Sequence, residues 1–419
     1  MTTAAPHPGR LPYPFDRDHC MSPMPHTELL SLPGLAAVTL PSGDPAHLAV
    51  RRADVVRVLT DRRFSRRAML TTPGGPRWTL ADLDEPSLLG LDPPDHTRVR
   101  RLCAPAFRRD SVDRLAPAVD AHVHRLLDEL LAAGSGPEPV DLHAAFALPL
   151  ADAVVCDVLG VSSAHRAPLA EWARRKLSLT SLPPQQARAG HEALRAHYDR
   201  LLFSPRAADA LVPGGLLHRL RTAHTAGHLS RAELLATAVN LFVAGHATTA
   251  ATVTNGVLAL LAHPDQWQAL RTDRTLLRPA IEEILRFDTI ADVGLPRLAV
   301  ADVTFQATTI KAGEAVVPSH AHAGRDPAVF ARPDSFDITR SPGPHLAFGH
   351  GPHRCIGADL ALLELRTALG ALADRAPLLR LAEPATALSF AGGSLIGGVN
   401  RLPVHTHAPR SAQPESQGR

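Results

Sequence analysis

The chain has 419 residues, a formal net charge of +3 and 45% hydrophobic residues. This length and composition suffice for a large buried core, and the balanced charge gives no reason to expect nucleic acid or a membrane surface as a partner. No segment approaches the roughly 20 unbroken apolar residues that span a bilayer, the N-terminus is unlike a signal peptide, and the four cysteines lack disulfide-like spacing, so we expect a cytoplasmic protein.

The first part of the chain predicts an arm followed by a hairpin and a short helix. Residues 1–35 are rich in proline and show little periodicity, which is typical of a loosely packed arm. Two β-like runs between residues 38 and 50 flank Pro41-Ser42-Gly43-Asp44, a strong turn signal. Apolar residues at helical spacing then predict a helix over residues 53–59.

A segment with apolar side chains follows this helix. Trp78, Leu80 and Leu83 come directly after the turn residues 73–76, which read Pro-Gly-Gly-Pro. Such a segment is either an ordinary surface loop or a lid over an apolar ligand. Both interpretations remain open from these residues alone.

The next helix begins after Asp92-Pro93-Pro94 and carries two potential cationic donors. His96 and Arg100 lie four residues apart and therefore share one helix face. On composition alone, such a pair is more often a solvated surface than a binding site.

A very long helix is predicted in the middle of the chain. Ser230 and Glu233 have the spacing of a capping box, and the pattern continues to about Leu261 before Pro264 ends it. At 1.5 Å per residue this helix would span about 45 Å, enough to cross the whole molecule. Its middle reads Ala-Gly-His-Ala-Thr-Thr over residues 244–249, an unfavourable sequence for a helix interior. The small residues on one face indicate either a packing seam or a groove for a ligand.

Shorter patterns follow this helix. Glu283 and Arg286 form a Glu-x-x-Arg pair, which by itself is most often a surface ion pair worth under about 1 kcal/mol. Residues 303–317 predict strands around a Lys-Ala-Gly turn, and residues 386–405 predict hairpins around two Gly-Gly pairs.

The most informative stretch runs from residue 345 to 365, where Cys355 stands at the start of a helical pattern. A helix N-terminus and the adjacent Arg354 both favour a thiolate, which is the form that binds a metal. Gly349 and Gly351 indicate a sharply bent backbone in front of it. Two alternatives are a zinc site that uses neighbouring histidines and an inert buried cysteine.

The pattern Phe348-Gly349-x-Gly351-x-His353-x-Cys355-x-Gly357 resembles the haem-ligand loop of the cytochrome P-450 family. The resemblance implies haem b as cofactor, with Cys355 as the axial iron ligand. It also implies a mainly α fold with a smaller β region: a single large helical domain over residues 36–405, with a long central helix over the haem. Residues 406–419 would then form a flexible tail.

The same resemblance gives roles to residues elsewhere in the chain. Glu283 and Arg286 match the family's buried structural pair, and Thr248 matches the hydroxyl of its oxygen-binding groove. The cofactor-binding residues implied are His96, Arg100, Arg297, Phe348, Gly349, His353, Cys355 and Gly357. The substrate would contact Trp78, Leu80, Leu83, Leu241, Ala244, Leu295, Leu395 and Ile396.

The resemblance also implies a reaction and its partners. The family activates O₂ reductively on the haem, and the electrons would come from a ferredoxin and its NAD(P)H-dependent reductase. We expect hydroxylation or epoxidation of a small natural product in secondary metabolism. Alternatives are oxidative coupling or ring closure without oxygen insertion, and an inactive haem-bearing ligand binder.

One position departs from the family pattern. Ala247 stands where the family usually carries an acid that relays protons, and alanine has no proton to exchange. We expect a substitute relay through water held by Thr248, with His246 or a polar group of the substrate as a further donor.

Overall fold

The structure is a computed structural model of the chain. It describes residues 9–15, 26–79, 81, 85, 87–166, 168–204, 210–290, 294–390, 392–399 and 401–407. Leu80 and Leu83, two of the expected substrate contacts, lie outside these residues, as do most of the expected arm and tail.

Helices make up most of the described chain. Their bounds are α1 Arg52–Thr60, α2 Arg66–Thr71, α3 Asp95–Cys103, α4 Arg109–Ala133, α5 Leu148–Leu159, α6 Leu169–Lys176, α7 Pro184–Phe203, α8 Leu216–Thr225, α9 Arg231–Leu261, α10 Pro264–Thr272, α11 Leu277–Phe287, α12 His320–Gly324 and α13 Ala358–Arg375. Short 3-10 or π turns lie between several of them, for example at Gly351–His353.

The strands form a smaller region to one side. Their bounds are β1 Leu11–Pro12, β2 Ala36–Thr39, β3 Pro45–Ala49, β4 Phe64–Ser65, β5 Val140–Asp141, β6 Arg297–Ala299, β7 Val303–Phe305, β8 Thr308–Ile310, β9 Ala315–Pro318, β10 Arg380–Leu381 and β11 Pro403–His405. The largest sheet has the order β1-β2-β3-β9-β6-β4. The mainly α fold with a smaller β region is confirmed.

The predicted hairpin between residues 38 and 50 is confirmed, since β2 and β3 pair antiparallel from Ala36 opposite Leu48 to Thr39 opposite Pro45. The hairpins predicted over residues 386–405 are only partly present among the described residues. There β11 pairs with β5 and β10, and residues 390–399 contribute isolated bridges such as Phe390 with Val399. Glycine pairs bend this segment without leaving runs long enough for strands.

The long helix α9 lies at the centre of the core. Ser230 accepts from the Glu233 backbone N–H and Glu233 accepts from the Ser230 backbone N–H, so the predicted capping box is present. Packed against α9 are α5, α7 and α13. A Cβ on Gly245 would come within 2.6 Å of Val155, so glycine is what allows α5 to approach this closely.

The length and composition of α9 are those of a helix able to cross a membrane, with a mean hydropathy of 1.3 over its most apolar window. That window is 67% buried inside the protein, as in the core helix of a soluble protein.

Candidate active site

The Cys355 loop is held by backbone hydrogen bonds and glycine conformations. The backbone N–H of Cys355 donates to the carbonyl of Phe348 over 2.8 Å. Gly351 has a φ of +70°, and a Cβ there would lie 2.8 Å from the Leu59 carbonyl oxygen, so neither the conformation nor the space suits another residue. Because α13 begins at Ala358, Cys355 lies just before the helix rather than inside its first turn.

The electrostatics of Cys355 combine opposing effects. Burial raises the pKa of the thiol, whereas the backbone N–H of Gly357, Arg100 and Arg354 lower it. The pKa of the thiol is raised overall, although Cys355 itself is an exposed residue of the loop. Of the effects expected from the sequence, Arg354 lowers the pKa as predicted, whereas the predicted helix begins only at Ala358. A metal cation bound to the sulfur would supply the missing stabilisation of the anion.

Cys355 opens onto a cavity, which we name the thiol cavity. Phe348, Cys355 and Gly357 line one side of it, and α9 forms the opposite wall with Leu241, Ala244, Gly245, Thr248 and Thr252. Most of this wall is apolar or small. The sulfur and the small-residue face of α9 therefore look onto one shared space.

Thr248, His246 and Ala247, the residue at the family's acid position, have different surroundings on α9. Thr248 lines the thiol cavity, and its hydroxyl donates to the Ala244 carbonyl one turn earlier. Ala247 packs against the core and is absent from the described cavity linings.

His246 is buried against α5, with its ring stacked on Phe242 at 5.2 Å and its Nδ1 3.7 Å from Asp152. Burial, together with His143, lowers the pKa of His246 to about 4, so the ring is neutral near pH 7. The structure thus places His246 away from the cavity, which argues against its use as a relay.

Glu364 on α13 is a cavity residue that the sequence analysis missed. It lines the thiol cavity, is 3% exposed, and its Oε2 has no donor among the described residues. Burial raises the pKa of Glu364 well above its usual range. The available signal was an acid among the regularly spaced leucines of α13.

Arginine and histidine side chains gather beside the thiol cavity. The rings of His96 and His353 lie 4.4 Å apart and are tilted by 45°, and Arg100 donates to the carbonyl of Arg354 over 2.8 Å. Arg297 is 4% exposed, and within the described ranges its guanidinium has no hydrogen bond or ion pair.

The lowered pKa values in this cluster show that its positive charge is not balanced by negative charge. Burial and Arg66 lower the pKa of Arg297 to about 9. Burial, together with Arg297, His96 and Arg66, lowers the pKa of His353 to about 2. Nε2 of His96 is also buried without a partner in the part of the chain that the structure describes.

An anionic group would supply that missing counterpart. Asp92 is the nearby carboxylate, but it accepts from Ser65 and from the backbone N–H groups of Arg66 and Arg67 and lies 4.0 Å from His353. The set of donors fits a ligand with carboxylates placed beside the thiol cavity. Arg66, which is 2% exposed and donates to the carbonyls of Leu89 and Pro296, belongs to this cluster and was also missed from the sequence.

A second cavity, which we name the loop cavity, adjoins the first at Ala244 and Thr248, and these two residues line both cavities. Trp78, Leu295, Leu395 and Ile396 line it as well. Of the expected substrate contacts, Leu241 instead lines the thiol cavity.

Two features of the loop cavity differ from expectation or add to it. Trp78 was expected on an exposed segment, but it is 6% exposed and packs with Met69 and Leu298. The turn at residues 395–396 is positioned by a hydrogen bond from the Leu395 N–H to the Leu177 carbonyl over 2.9 Å.

Glu283 and Arg286 form a bidentate pair deep in the core rather than a surface contact. Arg286 donates to the two carboxylate oxygens over 2.7 and 2.8 Å, and both side chains are at most 2% exposed. Arg340 and the backbone N–H of Asp337 also donate to Glu283. This network ties α11 to the segment that precedes the Cys355 loop.

The described residues provide no set of ligands for a zinc ion. Across the described residues, no three His, Cys, Asp or Glu side chains lie close enough to hold a metal ion together. His345, the first histidine of the stretch, is already hydrogen-bonded to Glu282 over 2.9 Å. A single thiol facing a large cavity is left as the ligand for a metal that brings its own macrocycle.

Comparison with known proteins decides the family. The family model for cytochrome P-450 matches residues 215–375. The 20-oxo-5-O-mycaminosyltylactone 23-monooxygenase of Streptomyces fradiae is 39% identical over 376 residues, covering 88% of this chain and 86% of that protein. The chain belongs to the cytochrome P-450 family.

Other cytochromes P-450 share its sequence and fold. The vitamin D3 dihydroxylase of Streptomyces griseolus is 38% identical over 90% of this chain and 92% of its own length. The crystal structure of SgvP, a putative thioether synthase in the tailoring step of griseoviridin, matches with a TM-score of 0.87 and 35% identity over 94% of this chain and 99% of that one. This chain is therefore a haem b monooxygenase related to enzymes of natural-product tailoring.

Proposed function

We propose that this monooxygenase uses electrons from a ferredoxin and its reductase, in the cytoplasm, to hydroxylate or epoxidise a small natural product. The observation that carries the proposal is the arrangement around α9, where Ala244 and Thr248 form a common wall between the thiol cavity and the loop cavity. A substrate in the loop cavity would thus reach the cofactor at that wall. Haem bound in the thiol cavity supplies reductive activation of O₂.

The residues of this chain would hold the haem from two sides. Cys355 would ligate the iron, and Phe348 and Gly357 would shape the loop around it. Arg297 and His96 would bind the propionates, because these two buried groups lack partners among the described residues. Arg100 and His353 would complete that set of donors.

Proton supply would depend on Thr248 and an ordered water. Ala247 has no exchangeable proton and His246 faces α5, so neither can deliver protons to the thiol cavity. The relay can be tested with Thr248→Ala and Ala247→Glu, by measuring product formed per NAD(P)H consumed. Full coupling in Thr248→Ala would exclude the water relay, and a sharp gain in Ala247→Glu would mark Ala247 as a defect.

Electron delivery would use the face near the Cys355 loop. Arg101, Arg108 and Arg354 are exposed and fit an acidic ferredoxin. Arg98, on the same helix as Arg101, forms an ion pair with Glu233, so its charge is already compensated.

The second candidate reaction is oxidative coupling or ring closure without oxygen insertion. The missing acid at Ala247 favours it, since a substrate that supplies its own protons needs no protein acid. The similarity to a putative thioether synthase points the same way. Turnover under isotopically labelled O₂, with ferredoxin and reductase present, separates the two: label in the product supports monooxygenation, and an oxidised product without label supports coupling. No product from ligands that bind would support the inactive binder instead.

A further inference from the structure

Helix α9 forms one wall of the loop cavity, where Asn240, Ala244 and Thr248 follow one another at four-residue spacing. Residues at this spacing share one face of a helix. Asn240 is the unusual member, because asparagine is a poor helix former and its chain neighbours Val239 and Leu241 are buried apolar residues. A residue that weakens its own helix at a cavity wall indicates a functional role.

The amide of Asn240 provides a hydrogen-bond acceptor at this wall. Its Nδ2 donates to the Ala236 carbonyl over 2.9 Å. This bond fixes the orientation of the amide, because the reversed orientation would place two oxygens against each other. Oδ1 is the end that is left for another partner. No described residue donates to it, and the side chain is half-buried rather than enclosed.

The other polar side chains of the loop cavity constrain a ligand less. Most of them already have partners in the protein: Arg66, Glu85, Ser87, Lys176 and Ser178. Thr79 also lines the cavity, but a hydroxyl can donate or accept, so it requires no particular group on the ligand. Oδ1 of Asn240 only accepts. A ligand that satisfies it must therefore carry a hydroxyl or an N–H group.

The regular geometry of α9 keeps this acceptor at a set distance from the site of reaction. Because a helix rises roughly 1.5 Å per residue, Asn240 lies about 6 Å from Ala244 and about 12 Å from Thr248 along the helix axis. Ala244 and Thr248 are the residues that the two cavities share. A substrate held at Asn240 would thus present to the thiol cavity the atom that lies one to two helical turns away.

We infer that Asn240 determines which atom of the substrate is oxidised: Oδ1 accepts a hydrogen bond from a hydroxyl or N–H group of the substrate, and the oxidised atom lies at Ala244 and Thr248. The inference rests on the proposed function, because the loop cavity must be the substrate site. It deepens that function by requiring a substrate whose hydrogen-bond donor and oxidised atom are about 6–12 Å apart.

The test uses the haem-loaded full chain and two series of N-alkyl imidazoles, in which the alkyl chain is lengthened one carbon at a time. One series ends in a hydroxyl, and the other ends in a methyl group at the same length. Binding of the imidazole to the iron shifts the haem absorption and gives a dissociation constant for each probe. We expect the ratio of the two constants to favour the hydroxyl about fivefold more at one chain length than at shorter or longer ones.

Three variants locate the acceptor. Asn240→Leu removes it and should abolish the optimum. Asn240→Leu combined with Val243→Asn moves the acceptor three residues, or about 4.5 Å, towards Thr248, so the optimum should move to a shorter chain. Thr237→Val is the matched control. It removes a hydroxyl from a buried position of the same helix that lines neither cavity, so the optimum should remain.

Unsubstituted imidazole separates this inference from the proposed function. If it produces no spectral shift in the native protein, the proposed function fails and this inference falls with it. If it binds but no chain length favours the hydroxyl, only the role of Asn240 is overturned. The same conclusion follows if the optimum persists in Asn240→Leu, stays at its original length in the double variant, or disappears in Thr237→Val.

Discussion

The thiol cavity and the loop cavity meet at Ala244 and Thr248, but their walls are built differently. The thiol cavity is enclosed by regular elements, chiefly α5, α9 and α13, together with a glycine-bent loop fixed by backbone hydrogen bonds. The loop cavity is enclosed largely by residues of connecting segments, at positions 78–79, 85, 87, 89–90, 177–179, 295 and 395–396. Regular elements on one face of α9 suit a cofactor that is held in one geometry. The connecting segments on its other face can vary in sequence to fit different substrates.

The largest effect on stability should come from the buried Glu283–Arg286 pair, on the thiol-cavity side of this comparison. Arg286→Ala leaves Glu283 as a buried charge without its bidentate partner, and we expect a loss of about 3–5 kcal/mol in the free energy of unfolding. Denaturant unfolding measures it. Arg174→Ala is the matched control, because Arg174 pairs with Glu171 at the same helical spacing but on the surface. It should cost under about 1 kcal/mol, and equal losses would contradict the assignment of a core role.

The stability of the protein should depend on pH through His246, on the side of α9 that faces α5. The pKa of buried His246 is lowered to about 4 from an ordinary 6.5, so between these values the unfolded chain binds more protons than the native one. Stability should therefore fall as pH drops through this window, by up to about 3 kcal/mol from this residue. His246→Phe should flatten the dependence, and His124→Phe, at an exposed position, should not. An unchanged pH profile in His246→Phe would show that the ring is not buried as a neutral group.

Haem binding should depend on Arg297, whose burial without a partner is unfavourable when no haem is bound. Arg297→Ala should weaken haem binding about 10- to 100-fold, through loss of a charge-assisted bond to a propionate. The haem-free variant should be at least as stable as the native protein, because a buried, unpaired cation has been removed. Haem transfer to an acceptor globin and unfolding of the haem-free protein measure the two effects. A less stable haem-free variant with unchanged haem affinity would indicate a purely structural arginine.

The wall that the two cavities share at Ala244 should give the smallest of these effects, on ligand binding. Ala244→Phe should weaken ligand binding in the loop cavity about tenfold or more, because a phenyl ring would fill space at the junction of the cavities. The carbon monoxide spectrum of the reduced protein should remain. Ala244→Ser, which adds little volume, is the control. Unaffected ligand binding in Ala244→Phe would show that this map of the substrate site is wrong.

Much of the thiol side could be predicted from the sequence because its signals are local. The turn glycines, Cys355 and the α9 residues occur in short contiguous patterns, and the capping box at Ser230 marks where α9 begins. Glu364 and Arg66 were missed because their importance comes from burial, which arises only when distant elements pack around them.

The loop side could be predicted only in outline. Periodicity gave Ala244 as a wall residue, but it did not show that Glu85 would meet α7 through Arg195, a contact between residues more than a hundred positions apart. His246 was expected as a further proton donor because Ala247 lacks one, but the close approach of α5 at Gly245 turns that face of α9 into core. Contacts of this kind depend on tertiary packing and leave no periodic pattern.

The carbon monoxide difference spectrum of the reduced full chain tests the central claim most directly, because it reports the ligand that the protein gives to the haem iron. The account predicts the spectrum of a thiolate-ligated haem in the native protein and its loss in Cys355→Ala. A spectrum typical of histidine ligation, or haem-free protein that carries stoichiometric zinc, would contradict it.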